Sequence, residues 1–439
     1  MTRVQDRWAL IARRVVPVVV VLGLSLGAAV PASAATEDPN WWYSGMHVDD
    51  ARAEGLTGAG VKIGVVDMRI NPELDIFSGA SLTVSPGSSC LSGGEPVSQT
   101  PDHGTTHGTS MAALLLARPV GEIPMQGIAP DADVTFYSVG PGDDACLDAP
   151  EGRSGVMDAV LRAIRDGNRI VSVSMGQEFA PEPDTAVVAE ALARGVVIVA
   201  STPNNSTQQT WLSPQGYNGV VSTAAVGRDG ELQRDDDEVT PVIVPGVTVV
   251  APGVKILRPA DSTGWEGMSL GSGSSYAAPI VAGSLALLLQ KHPSATGNQL
   301  IQALISSTAN AVDGIPFDAT NGYGYGAVSL RNLLATDPTA LPDVNPLMNK
   351  SMGVPTAEQV AAAGGTAAPT ESAPATSAPS SPAAVAEPTS DAPSTASGTS
   401  PATVVPWLIG GGVGAMVIVI VVVIVVATRT RPRPTADNR

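Results

Sequence analysis

Residues 61–66 read Val-Lys-Ile-Gly-Val-Val, a β-branched apolar run that stops at Asp67. Its nearly continuous hydrophobicity predicts a strand buried on both faces. Across residues 156–166 the apolar positions Met157, Val160, Leu161 and Ile164 fall at helical spacing, and the chain then enters a second strand-like stretch at 169–174. Val187, Val188, Ala191 and Leu192 repeat the helical spacing over 185–194, Gly195 closes it, and 196–200 is apolar again. Strand–helix–strand alternation at these lengths predicts an α/β fold, a parallel sheet with helices on both faces. In such sheets chemistry collects beyond the carboxyl ends of the strands. Asp67, Ser174-Met175-Gly176 and the loop 201–205 all fall at such ends.

The ends of the chain have a different pattern. Residues 1–34 carry Arg3, Arg7, Arg13 and Arg14, then an apolar run over 15–30, then Ala32-Ser33-Ala34. That order predicts a secretory signal peptide with an ordinary basic leader. Residues 404–427 hold no charge and are long enough to span a bilayer, and Arg429, Arg431 and Arg433 follow at once. This predicts one transmembrane helix, a cytoplasmic tail at 428–439 and a body outside the cytoplasm. Residues 339–403 are expected to be a disordered Ala/Pro/Ser/Thr-rich stalk, most biased from Thr366 onward, because so few large apolar side chains cannot offset ordering entropy. The folded domain is thereby placed at 35–338.

Composition narrows the function. The formal charge of −17 argues against nucleic-acid binding and reads as a solubility feature of a secreted protein. The two cysteines, Cys90 and Cys146, are expected to pair in an oxidising compartment. Neither has a companion at metal-ligand spacing, so no zinc site is expected.

Two of the four histidines stand in one short stretch, Asp102-His103-Gly104-Thr105-Thr106-His107-Gly108-Thr109. A base carried at a helix start needs small residues behind it, so that the helix packs closely on the sheet. Gly108 to Ala117 supplies that run after His107, whereas the same offsets after His103 fall on Thr106, His107 and Gly108. His107 is therefore the predicted base, opening a helix, and His103 a solvated loop neighbour. A nucleophile is offered by Gly271-Ser272-Gly273-Ser274-Ser275-Tyr276-Ala277-Ala278-Pro279, where glycines precede a serine at a helix start and the helix N-terminus favours developing negative charge.

Asp67 after a strand, His107-Gly108-Thr109, and Gly273-Ser274-Ser275-Tyr276-Ala277-Ala278-Pro279 together resemble the three signatures of the subtilisin-like serine proteases, in the chain order Asp, His, Ser. Residues 197–204 resemble the family strand that delivers an oxyanion-hole asparagine, here Asn204. Residues 171–176 resemble its substrate-binding edge, here Ser174, Met175 and Gly176. Residues 249–253 and 322–324 resemble the segments before the serine and at the domain end, so the resemblance spans about 41–334. A leader, a short segment before Asp67, a Pro-rich stalk and one C-terminal span are similar to the mycosins, membrane-anchored subtilases of type VII secretion systems, in which a disulfide-bearing loop lies near the active site.

The resemblance implies a serine endopeptidase acting on a protein or peptide substrate. Ser275 would attack, His107 would shuttle the proton, Asp67 would hold the imidazole, and Asn204 with the Ser275 amide would stabilise the oxyanion; the chemistry calls for no metal or cofactor. Three positions depart from the family pattern: Met68-Arg69 follows Asp67 in place of Thr or Ser and then Gly, Pro203 precedes Asn204 in place of Gly, and Ser274 replaces Thr. These departures suit a rival expectation, a subtilase fold kept as a weakly active or inactive structural component of a secretion complex. A surface adhesin on a stalk would account for the anchor but not for the ordered triad.

Overall fold

Seven parallel strands form the central sheet in the order β2-β3-β1-β4-β5-β6-β7. They are β1 (Lys62–Asp67), β2 (Leu82–Ser88), β3 (Asp133–Ser138), β4 (Ile170–Val173), β5 (Val197–Ser201), β6 (Val221–Val226) and β7 (Val249–Pro252). The computed structural model describes residues 38–121, 123–140, 149–177, 182–205 and 213–364. The predicted signal peptide and the segment 404–427 lie outside these. Among the described residues no helix is long and apolar enough to cross a membrane.

Alternation along the buried strands divides the core between two faces. Ile63 and Val65 of β1, with Ile170 and Val199, pack on helices α3 (His103–Leu116) and α6 (Ser274–Lys291). Val66, Val171, Val173 and Ile198 face the other way, onto α4 (Gly155–Arg165) and α5 (Glu182–Ala193). Helices on both faces follow from that period of two. The chain leaves β3 and crosses β1 to form β4, so the strand order reverses beside β1. At such a reversal the helices change face and a crevice opens beyond the carboxyl ends.

After β7 the chain makes an antiparallel hairpin, β8 (Ile256–Asp261) and β9 (Gly264–Gly271), before entering α6. The hairpin packs against α3. Its Trp265 Nε1 donates to the Gln99 carbonyl at 2.6 Å.

Two expectations require correction. The helix expected to open at His107 begins one turn earlier, at His103, because Asp102 caps it: its Oδ1 accepts from the Thr105 amide at 2.8 Å. His103 is thus helical rather than a loop residue, though exposed to solvent as expected. The folded domain also runs past 338. Residues 341–356 are laid back on the domain: Gly219 N donates to Leu347 O at 2.9 Å, Lys350 N to Asn218 Oδ1 at 2.7 Å, and Asn218 N to Val354 O at 2.8 Å. Leu347 is buried in the core and α10 (Ala357–Gly364) packs on α5. This strap holds the apolar anchors Leu347, Met352 and Val354, whereas residues 366–403 hold no aliphatic side chain larger than alanine except Val385.

Candidate active site

Asp67 ends β1 fully buried, paired in register with Ser138 of β3. The turn after it is fixed by hydrogen bonds: the Met68 amide donates to Asp67 Oδ1 at 2.8 Å, and Ser138 Oγ donates to the Met68 carbonyl. Gly108 lets α3 approach this turn, since a Cβ there would stand 2.1 Å from the Arg69 carbonyl oxygen. That close approach brings His107 Nδ1 to 2.8 Å from Asp67 Oδ1. An ionised carboxylate only accepts hydrogen bonds, so Nδ1 carries the hydrogen and Nε2 is left as the acceptor nitrogen. Asp67 Oδ2 is buried and has no hydrogen-bond partner among the described residues. Met68, standing where the family usually has a hydroxyl side chain, offers none.

Ser275 is the second residue of α6 and is buried with Ser174, which lies just past β4. Ser275 Oγ donates to the Ser174 carbonyl at 3.2 Å, and Ser174 Oγ donates to the Ser275 carbonyl at 2.9 Å. The second bond answers a local deficit. A helical carbonyl normally accepts from the amide four residues on, but that residue here is Pro279, which has no N–H.

Asn204 is aimed by Ser274. Its Oδ1 accepts from the Ser274 amide at 2.7 Å and lies 3.0 Å from Ser274 Oγ, which also donates to the Thr202 carbonyl. With the oxygen end so engaged, the amide nitrogen is the end left for a ligand. Gly273 makes room, because a Cβ there would stand 3.3 Å from the Asn204 side chain. Pro203 has therefore not kept the asparagine from the serine.

These groups share one cleft of about 490 Å³, walled by Met68, His103 and His107, by Ser174, Met175 and Gly176, by Asn204, and by Ser275 and Tyr276. Asp67 lies behind His107. The residues predicted for the triad, the oxyanion hole and the substrate-binding edge thus line this cleft or, for Asp67, lie directly behind it. Cys90 is buried at the end of β2, its amide 3.3 Å from the Val139 carbonyl, while Cys146 lies outside the described residues. His103 sits one turn before His107, the ring centroids 6.0 Å apart. Among the described residues no cluster of side chains suited to a metal ion is found. The sequence reading missed Arg258, which reaches the cleft from β8 and carried no motif, and Ser138, visible only once β1 and β3 are paired. Burial raises the Tyr276 hydroxyl pKa, and the nearby Arg258 guanidinium works against that rise.

The family model for subtilases, peptidase family S8, matches residues 58–326. The chain belongs to the subtilase family. The subtilase is 29% identical over 294 residues to Subtilisin BL of Lederbergia lenta, covering 66% of this chain and 96% of that enzyme. Among solved structures it is similar to fervidolysin from Fervidobacterium pennivorans, described as a keratinolytic enzyme related to subtilisin: TM-score 0.54 at 26% identity, over 69% of this chain and 46% of that one. It also shares the fold of MycP1 from the ESX-1 type VII secretion system, with TM-score 0.51 at 20% identity, over 70% of this chain and 88% of that one. As a subtilisin-like member of this family, the protein is a serine endopeptidase.

Proposed function

We propose that this subtilase cleaves peptide bonds with Asp67, His107 and Ser275 as its triad, and that it does so outside the cytoplasm, held at the membrane by residues 404–427 and serving a type VII secretion system. The observation that carries the catalytic reading is the 2.8 Å Asp67–His107 bond, with Ser275 lining the same cleft. In the reaction, the Ser275 hydroxyl turns from the Ser174 carbonyl to His107 Nε2, gives up its proton and attacks the scissile carbonyl. The oxyanion accepts from Asn204 Nδ2 and from the Ser275 amide, one of the first-turn N–H groups of α6 that lack a helical acceptor. His107 then protonates the departing amine, and Asp67 stabilises the imidazolium throughout. Water repeats the sequence on the acyl-enzyme. Residues 174–176 hold the acyl side of the substrate in extended form.

The leader, stalk and uncharged segment followed by arginines support the anchor. The fold shared with MycP1 agrees with a type VII setting. The position of Cys90 beside Gly140, at the start of the segment that carries Cys146, supports a disulfide between the two cysteines. The orphaned Asp67 Oδ2 favours one rival, a subtilase fold of weak or no turnover that serves as a structural component. A fluorophosphonate probe decides between them on the full chain: adduct formation at Ser275 is expected, and a folded protein that takes up no probe would establish the scaffold.

A further inference from the structure

Arg258 brings a cation into the cleft. It is partly buried in β8, close to Tyr276 and lining the same cleft as Ser275. Its Nε donates to Ser269 Oγ at 3.0 Å and its guanidinium lies within hydrogen-bonding reach of the Tyr276 hydroxyl, which orients it at the cleft wall. Among the described residues no carboxylate forms an ion pair with it, and no described aspartate or glutamate lines the cleft. An arginine at the cleft wall that no described carboxylate neutralises offers a site for a carboxylate.

The hairpin determines which part of a substrate meets it. The β8–β9 pair packs on α3, the helix that bears His107, whereas residues 174–176 and Asn204 follow β4 and β5. His107 delivers its proton to the departing amine, so the chain that follows the scissile bond lies on the hairpin side. We infer that Arg258 selects substrates with an aspartate or glutamate at one of the first two positions after the scissile bond. The inference rests on the peptidase reading above for its geometry.

Internally quenched peptides that differ only at those two positions, carrying Glu, Gln or Lys, test this on the full chain. Wild type should cleave the best Glu peptide about tenfold more efficiently, in kcat/KM, than its Lys counterpart. Arg258→Glu should invert that order. Should Arg258→Glu fail to fold, Arg258→Gln serves, with the Glu preference over Gln falling to unity. An unchanged Glu-to-Lys ratio in the variant overturns the inference. Fluorescence anisotropy of the same peptides on Ser275→Ala separates this from failure of the peptidase reading. Tighter binding of Glu than Lys peptides, abolished by the Arg258 change, upholds the role of Arg258 even where nothing is cleaved; equal affinities overturn it.

Discussion

Ser174 Oγ donates to the carbonyl of Ser275 at 2.9 Å, supplying the hydrogen bond that Pro279, lacking an N–H, cannot give within α6. The end of β4 and the first turn of the nucleophile helix are thereby joined at the residue proposed to attack. Ser174→Ala should lower kcat about fivefold with little change in KM, the worth of one hydrogen bond of about 1 kcal/mol. Pro279→Ala restores the missing amide and should recover part of that loss in the Ser174→Ala background. Steady-state kinetics on the four proteins measure it; equal kcat in wild type and Ser174→Ala would show that the bond does not position Ser275.

Among the described residues nothing, Met68 included, donates to Asp67 Oδ2, although the carboxylate is fully buried. A hydroxyl at this position would supply one. Met68→Ser is therefore expected to raise kcat by a few-fold, because a buried charged acceptor gains about 1–3 kcal/mol from a hydrogen bond, part of it offset by lost packing. A variant that folds normally and turns over more slowly than wild type would show that Met68 is adapted to this turn.

Much of this site was legible because its parts are local. Asp67, Ser174 and Asn204 stand at the ends of apolar runs, and a parallel sheet gathers strand ends whatever the order of its strands. The start of α3 was missed although its signal was present: Pro101-Asp102 before His103 is an N-cap pattern, overlooked beside the more apolar run after Gly108. The strap was missed for a different reason. Its contacts are backbone hydrogen bonds to Asn218 and isolated apolar anchors, which have no period to read. Arg258 was invisible because nothing in a hairpin sequence says which helix it will lie against.

The strap makes a prediction of its own. Lys350 Nζ donates to the Val220 carbonyl at 2.9 Å and to Ser222 Oγ at 2.8 Å, with burial pushing its pKa down to about 7. The unfolded chain, with an ordinary lysine, holds the proton to higher pH than the folded one. Stability linked to Lys350 is therefore fully present above the ordinary lysine range and is lost as pH falls toward about 7. Thermal melts at pH 7 and pH 10 should show a smaller rise in Tm for Lys350→Met than for wild type. A stop after residue 338 should also lower Tm sharply, and a stop after 364 should not. Equal stability of the two truncations would mean that the strap is not part of the folded domain.

Cys90 and Cys146 are expected to be bridged, which in the chain-entropy model contributes ~4 kcal/mol for a loop of this size. Intact-mass spectrometry after thiol alkylation without reductant should find no modified cysteine. Two alkylated cysteines would remove the bridge from the account.

The doubled His-Gly stretch permits the most direct test of the triad. His103 and His107 stand one turn apart, but only His107 has Nδ1 at 2.8 Å from Asp67. Peptidase turnover and fluorophosphonate labelling of Ser275 should be measured on full-length wild type, His107→Ala, His103→Ala and Ser275→Ala, each shown folded by circular dichroism. His107→Ala is predicted to be as inactive as Ser275→Ala, a loss on the order of 10⁶ in kcat by the subtilisin precedent, because triad members act as a unit. His103→Ala is predicted to keep activity within a few-fold of wild type. A folded His107→Ala enzyme that still cleaves peptides and labels at the wild-type rate would contradict the account.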